Sequence, residues 1–252
     1  MKGILFRCIT LMLCVIVFSS CGGKTSRFSP LETVTDEEGN VHSQYYIEGY
    51  SQRSIRNYFS EVVLSSEFSK GDGDLSLVQK WEDGIDYYIT GNYYGTDVET
   101  IESFFAIFEG KEGFPKVRRA ENIDSANLIV YFVSDKEFIE ATSDTIGDNT
   151  ASGAATFYYD GKTNEITSGV IFYRKDMADV DRASVILEEL YNVMGAPNDT
   201  TQRRDSIIYQ RSSDNNELSQ IDILIMELLY RPEIKAGMDY NEVSEALNKL
   251  YF

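Results

Sequence analysis

The chain has 252 residues, 42% of them hydrophobic and 25% charged, which is enough apolar material for one domain or a tightly joined pair of subdomains. Its 41 acidic residues outnumber 23 basic ones and give a net charge of −18, which argues against nucleic acid and anionic lipid as partners. A single histidine, His42, rules out any site built from three imidazoles.

Lys2 and Arg7 precede an apolar run from Ile9 to Phe18 and the junction Ser19-Ser20-Cys21-Gly22-Gly23. The run is about half of the ~20 residues that a spanning helix needs. Residues 1–20 therefore read as a lipoprotein signal peptide, with Cys21 as the acylated residue at the mature N-terminus. Cleavage there removes Cys8 and Cys14, so no disulfide framework or cysteine metal cluster is available to the mature chain. It also removes two of the 23 basic residues and none of the 41 acidic ones, leaving a net charge of −20. The expected location is the bacterial cell envelope, with Gly22 in place of an acidic residue pointing to the outer membrane. Residues 21–40, polar and carrying Pro30 and Gly39, read as a flexible tether, and residues 41–252 as the folded domain.

From Ser51 as a helix cap, Ile55, Tyr58, Phe59, Val62 and Val63 recur at helical spacing, and the pattern stops near Ser69-Lys70-Gly71. Gly71-Asp72-Gly73-Asp74 has acidic residues two apart but lacks the other ligands of a calcium loop. Trp81 to Gly91, aromatic and β-branched, predicts a strand. Thr96 with Glu99 makes a capping-box pattern ahead of Ile101, Phe104, Phe105 and Phe108, which predicts a second helix. Leu128 to Val133 is an uninterrupted apolar run too short for a helix, which predicts a central strand buried on both faces. Ala154–Tyr159 and Ile166–Tyr173, joined through Asp160-Gly161-Lys162-Thr163-Asn164, predict a hairpin.

The stretch from Ser184 to Asp199 carries the candidate site. At about 100° per residue, Ile186, Leu187, Leu190, Val193 and Met194 share one helical face, while Glu188 and Asn192 lie opposite with Glu189 at the edge. Gly195, followed by Pro197, is the expected helix stop. Beyond it, Ser219 and Asp222 start a helix that runs to Tyr230 and ends at Pro232, and Tyr240–Leu250 reads as a closing helix.

The spacing Glu188, Glu189, Asn192, Gly195, Asn198 resembles the metzincin zinc-peptidase signature, with Glu189 at the general-base position and Gly195 at the turn glycine. Glu188, Asn192 and Asn198 stand where the three histidines would be. Downstream, Ser206-Ile207-Ile208-Tyr209, Leu218-Ser219-Gln220-Ile221-Asp222-Ile223 and Leu229-Tyr230 resemble the matrix-metalloproteinase branch, with Ile208 at the place of the Met-turn methionine. Over roughly residues 180–245 the chain also looks like a bacterial lipoprotein family known as domain of unknown function 2927.

The resemblance implies an α/β (α+β) zincin-like fold. It would have a mixed twisted sheet with packed helices, an active-site-type helix over 182–194 and a helical C-terminal subdomain. Without imidazole donors, the favoured reading is a non-catalytic domain with no cofactor, acting in binding or envelope structure. Its expected partners are the membrane, through the lipid anchor, and an envelope protein, peptide or glycan. The alternative is a hydrolase using a hard divalent cation such as calcium. Glu188, Asn192, Asn198 and Asp199 would be its oxygen donors and Glu189 its general base.

Overall fold

Three strands whose residues alternate between buried and half-buried decide the architecture: β3 (Ile85–Gly91), β5 (Leu128–Val133) and β7 (Ile166–Arg174). Each sets one row of side chains against a helical layer, as the period-2 geometry of a strand requires. The structure is a computed structural model that describes residues 33–35, 41–43, 45, 47, 50–64, 77–143, 151–210 and 215–251. The leader, Cys21 and Gly71–Asp74 lie outside the described residues.

With β4 (Val117–Arg119) and β6 (Gly153–Tyr159), these strands form a mixed five-stranded sheet of order β4-β3-β5-β7-β6. β4, β3, β5 and β7 are mutually parallel, and β6 closes one edge antiparallel to β7. β5 is central, as expected. Only Leu128, Val130 and Phe132 are fully buried, however, and Ile129, Tyr131 and Val133 on the opposite face are half-buried. Tyr131 and Phe172 stack there at 5.0 Å between ring centroids.

α1 (Gln52–Val63), α2 (Gly95–Phe108), α3 (Asp135–Thr142), α4 (Asp179–Val193), α5 (Gln220–Tyr230) and α6 (Tyr240–Tyr251) are the six helices among the described residues. α2 and α4 pack together on the buried face of the sheet, where Phe104, Phe105 and Phe108 of α2 form an aromatic cluster with Tyr87. α3 lies on the other face. Tyr173 points to α4, its neighbour Arg174 points away, and the Arg174 guanidinium sits over the Phe138 ring of α3 at 4.6 Å. α5 and α6 pack on α1 and belong to the same compact unit as the sheet, which starts at Glu32.

Two expectations need correction. α2 begins at Gly95 rather than after Thr96, and the carboxylate that receives its capping backbone N–H is Asp97, 2.7 Å from the nitrogen of Tyr94. β1 (Thr33–Thr35) pairs antiparallel with β2 (Val41–Ser43), so strand pairing begins inside the stretch that composition reads as a tether.

Residues 78–81 run between the sheet and the C-terminal helices. Val78 exchanges backbone hydrogen bonds with Gly237 and Met238, and the Lys80 carbonyl accepts from Ile166. The buried Lys80 ammonium donates to the carbonyls of Leu229 and Ile234 and lies 3.5 Å from Glu82. Burial lowers its pKa.

Candidate functional site

The site is organised by α4. Its apolar face buries Ile186, Leu187, Leu190, Val193 and Met194, all placed there by helical spacing. Gly195 ends the helix with φ at 99° and donates its N–H to Asn192 O. The last carbonyls of a helix lack intrahelical partners. Here Trp81 Nε1 donates to Val193 O at 3.0 Å and the Tyr230 hydroxyl to Met194 O at 2.9 Å. The helix end is thus fixed by residues more than a hundred positions before it and 36 after it.

Glu189 does not sit at the edge of an open face. It is buried, and its carboxyl accepts from the Asn192 side chain and from the backbone N–H of Ala155 on the edge strand β6. Gly153 makes the room: a Cβ there would lie 2.6 Å from Glu189 Cγ and 2.8 Å from Oε1. Burial, and next the negative charge of Asp199, push the Glu189 pKa up to about 8. Asn192 Oδ1 is buried with no hydrogen-bond partner in the structure.

Glu188 is half-buried, and it raises the pKa of Tyr173 less than burial and Glu189 do. Asn198 is turned away from any such centre. Its side-chain amide donates to Glu61 O at 2.9 Å and Asp199 O at 3.1 Å, and its backbone N–H donates to Val62 O. Thr200 Oγ1 adds a bond to Glu61 Oε1. Asn198 and Thr200 therefore tie the loop after α4 to the end of α1, where helix carbonyls need donors.

Ile208 is fully buried, and its carbonyl accepts from Thr200 N–H. Beneath it Asp222 forms a closed network. One oxygen accepts from Ser206 Oγ at 2.6 Å, the other from Ile207 N–H and from the N–H and hydroxyl of Ser219, and Tyr58 donates to Ser206. This carboxylate caps α5 and fixes the Ile207–Ile208 turn, a structural role in a buried place.

These residues do not suit zinc. Among the described residues no three His, Cys, Asp or Glu side chains converge as a ligand group, and a neutral amide oxygen such as Asn192 Oδ1 is a poor donor for zinc. What the site does hold is a buried carboxyl group whose pKa burial and the negative charge of Asp199 push up to about 8. A group of that kind can take or give a proton near pH 8.

The residues that shape the site from outside the signature, Gly153 and Ala155, carry no motif. Ala155 was legible only as part of the strand predicted over Ala154–Tyr159, and Gly153, the first residue of β6, lay just before it.

Glu189 also sets a pH dependence. Its folded pKa lies above its ordinary value of 4.5, so the native state holds more protons than the unfolded chain between the two values, and stability falls as pH rises through that window. Glu189→Gln is expected to flatten the decline of denaturant midpoint between pH 6 and pH 9. A wild-type and a variant curve that run parallel across that range would count against the buried carboxyl.

A family model described as protein of unknown function (DUF2927) matches residues 52–249. No curated protein matches the chain.

Proposed function

We propose, for a chain that belongs to the DUF2927 family, that it is a lipid-anchored protein of the bacterial envelope whose zincin-like domain has lost metal catalysis and serves in binding or envelope structure. The observation that carries this reading is the fate of the signature side chains. Asn198 is bonded to the end of α1, and Glu189 is bonded to Asn192 and to the edge strand. Both are held by bonds within the protein, whereas a catalytic metal requires several converging donors and one open position.

The sheet order supports the zincin-like part. A parallel core with one antiparallel edge strand, β6, lies directly above α4, and Gly195 turns the chain after that helix. Support for the anchor comes from the sequence alone, through the short apolar leader and the Ser-Ser-Cys-Gly-Gly junction. No helix among the described residues is long and apolar enough to cross a membrane.

Two measurements test the proposal. Elemental analysis of protein purified without chelator is expected to find no stoichiometric zinc, and a broad peptide-library digest is expected to find no cleavage. One equivalent of metal, with cleavage lost in Glu189→Gln, would overturn it. For the anchor, Cys21→Ser is expected to move the protein out of the membrane pellet after alkaline washing. Retention of this variant at the wild-type level would refute the lipidation.

A second reading has one observation in its favour: Asn192 Oδ1 is a buried, unpartnered oxygen beside the Glu189 carboxyl, which Asp199 also influences. Oxygen donors of this kind suit calcium or magnesium, with Glu189 as base. A hard cation takes six or more such donors, so this reading predicts a stabilising shift in melting temperature with millimolar calcium. The favoured reading predicts none.

A further inference from the structure

Away from the buried Glu189 carboxyl, the N-terminal turns of α2 and α4 border an open cavity of about 510 Å³, within the roughly 300–1,000 Å³ range of small-molecule sites. Its walls are Tyr94, Thr96 and Thr100 on one side and Ala183 and Ile186 on the other, with the Asp97–Arg182 pair at its base.

Its position in the topology is distinctive. The chain leaves β3 for β4 on one side of the sheet, and leaves β5 for β7 and β6 on the other. α2 follows β3 onto one face and α3 follows β5 onto the opposite face. The direction of winding therefore reverses between the carboxyl ends of β3 and β5. In open α/β sheets such a reversal opens a crevice at the strand ends, and ligands bind there. The cavity lies between the start of α2, which follows β3, and α4, which follows β7, on one face of the sheet.

The electrostatics narrow the ligand. Arg182 Nε and Nη2 donate to the two Asp97 oxygens at 2.5 and 2.8 Å, and Nη1 donates to Lys175 O. Both partners of the pair are almost wholly buried. Each charge already has its counter-charge, so an ionic ligand would give up its water for a site with no free opposite charge to meet it. What the lining still offers is neutral. Tyr94 is 56% exposed and holds one ring face against the Arg182 guanidinium at 4.6 Å. The Thr96 hydroxyl can donate and accept, the Thr100 hydroxyl donates to Thr96 O at 2.9 Å and can still accept, and Ile186 and Ala183 supply an apolar wall.

We infer that this cavity is a binding site for a neutral saccharide. The ring's C–H face would pack on Tyr94 and the apolar wall, and its hydroxyls would pair with Thr96 and Thr100. Sugar hydroxyls would donate to Thr100, whose own proton is held by Thr96 O, and pair with Thr96 in either direction, and an uncharged ring needs no counter-ion.

The test is saturation-transfer NMR on the full chain solubilised in a zwitterionic detergent that carries no sugar head group. The probes are maltose, cellobiose and chitobiose, with longer oligomers of each to separate a free sugar from the end of a glycan chain. Transfer to the ring protons of at least one probe is expected. Ala183→Phe, which places a ring in the cavity from a half-exposed helix position, is expected to weaken that binding at least tenfold, and Tyr94→Ala to do the same. Tyr159→Ala, on the exposed end of β6, is expected to leave it unchanged. Absence of transfer to every probe, or transfer that survives Ala183→Phe, would overturn the assignment.

Discussion

Replacing Gly195 by valine is expected to produce one of the largest losses of stability available to a single substitution in this chain. A Cβ at this position would lie 2.1 Å from the carbonyl oxygen of Gln79, and φ is 99°. A β-branched residue at positive φ costs on the order of 1–3 kcal/mol, and overpacking a closed contact typically about 1–3 kcal/mol more. The obstacle is backbone on both sides, so no rotamer change relieves it. Gly161→Ala, at a turn where an added Cβ meets nothing within 4 Å, serves as the control and should change little. Chemical denaturation of both variants decides the matter. A Gly195→Val midpoint equal to that of the control would mean that the chain does not turn against residue 79 in this way.

Arg182→Met alone is expected to be comparably damaging, and for a different reason. It would leave the Asp97 carboxylate, 1% exposed, without its counter-charge. Breaking a buried pair from one side costs about 3–5 kcal/mol, whereas replacing both partners by apolar groups is often neutral. The double variant Asp97→Leu with Arg182→Met should therefore recover most of the loss. It will not recover all of it, since Asp97 also receives the Tyr94 N–H that caps α2. If the double variant is as unstable as the sum of the two singles, the pair acts as two separate anchors rather than as one ion pair.

The same pair shows where reading the sequence stopped. Thr96 and Glu99 satisfy a capping-box spacing, and local pattern alone chooses them. The actual cap is Asp97, held in place by an arginine 85 residues away, a contact that no local window contains. Helices with long apolar stripes, α1, α4, α5 and α6, were legible, as were the central strand and the hairpin, because burial of one face imposes a period on the sequence.

β4 was not legible, since three residues, Val-Arg-Arg, with two of them exposed, leave no alternation to detect. α3 was missed for a similar reason: it has eight residues, of which only Phe138 and Thr142 are buried. Within the candidate site, spacing brought out Glu189 and Gly195. It could not tell that Asn198 would turn to the end of α1, because the orphan carbonyl that draws it belongs to Glu61, 137 positions earlier.

The short run from Val78 to Trp81 has a consequence for how the chain can acquire its structure. Its partners are Ile166, the end of α4 at Val193, Leu229, Ile234, Gly237 and Met238. A ribosome delivers the chain from its N-terminus, so this run emerges well before the residues that satisfy it. Contacts of such long sequence separation close late and slowly. The buried Lys80 in particular has its two carbonyl partners only once residue 234 has been made. The domain therefore cannot finish folding in step with synthesis. The run closes onto its partners only when residues 229–238 have been delivered.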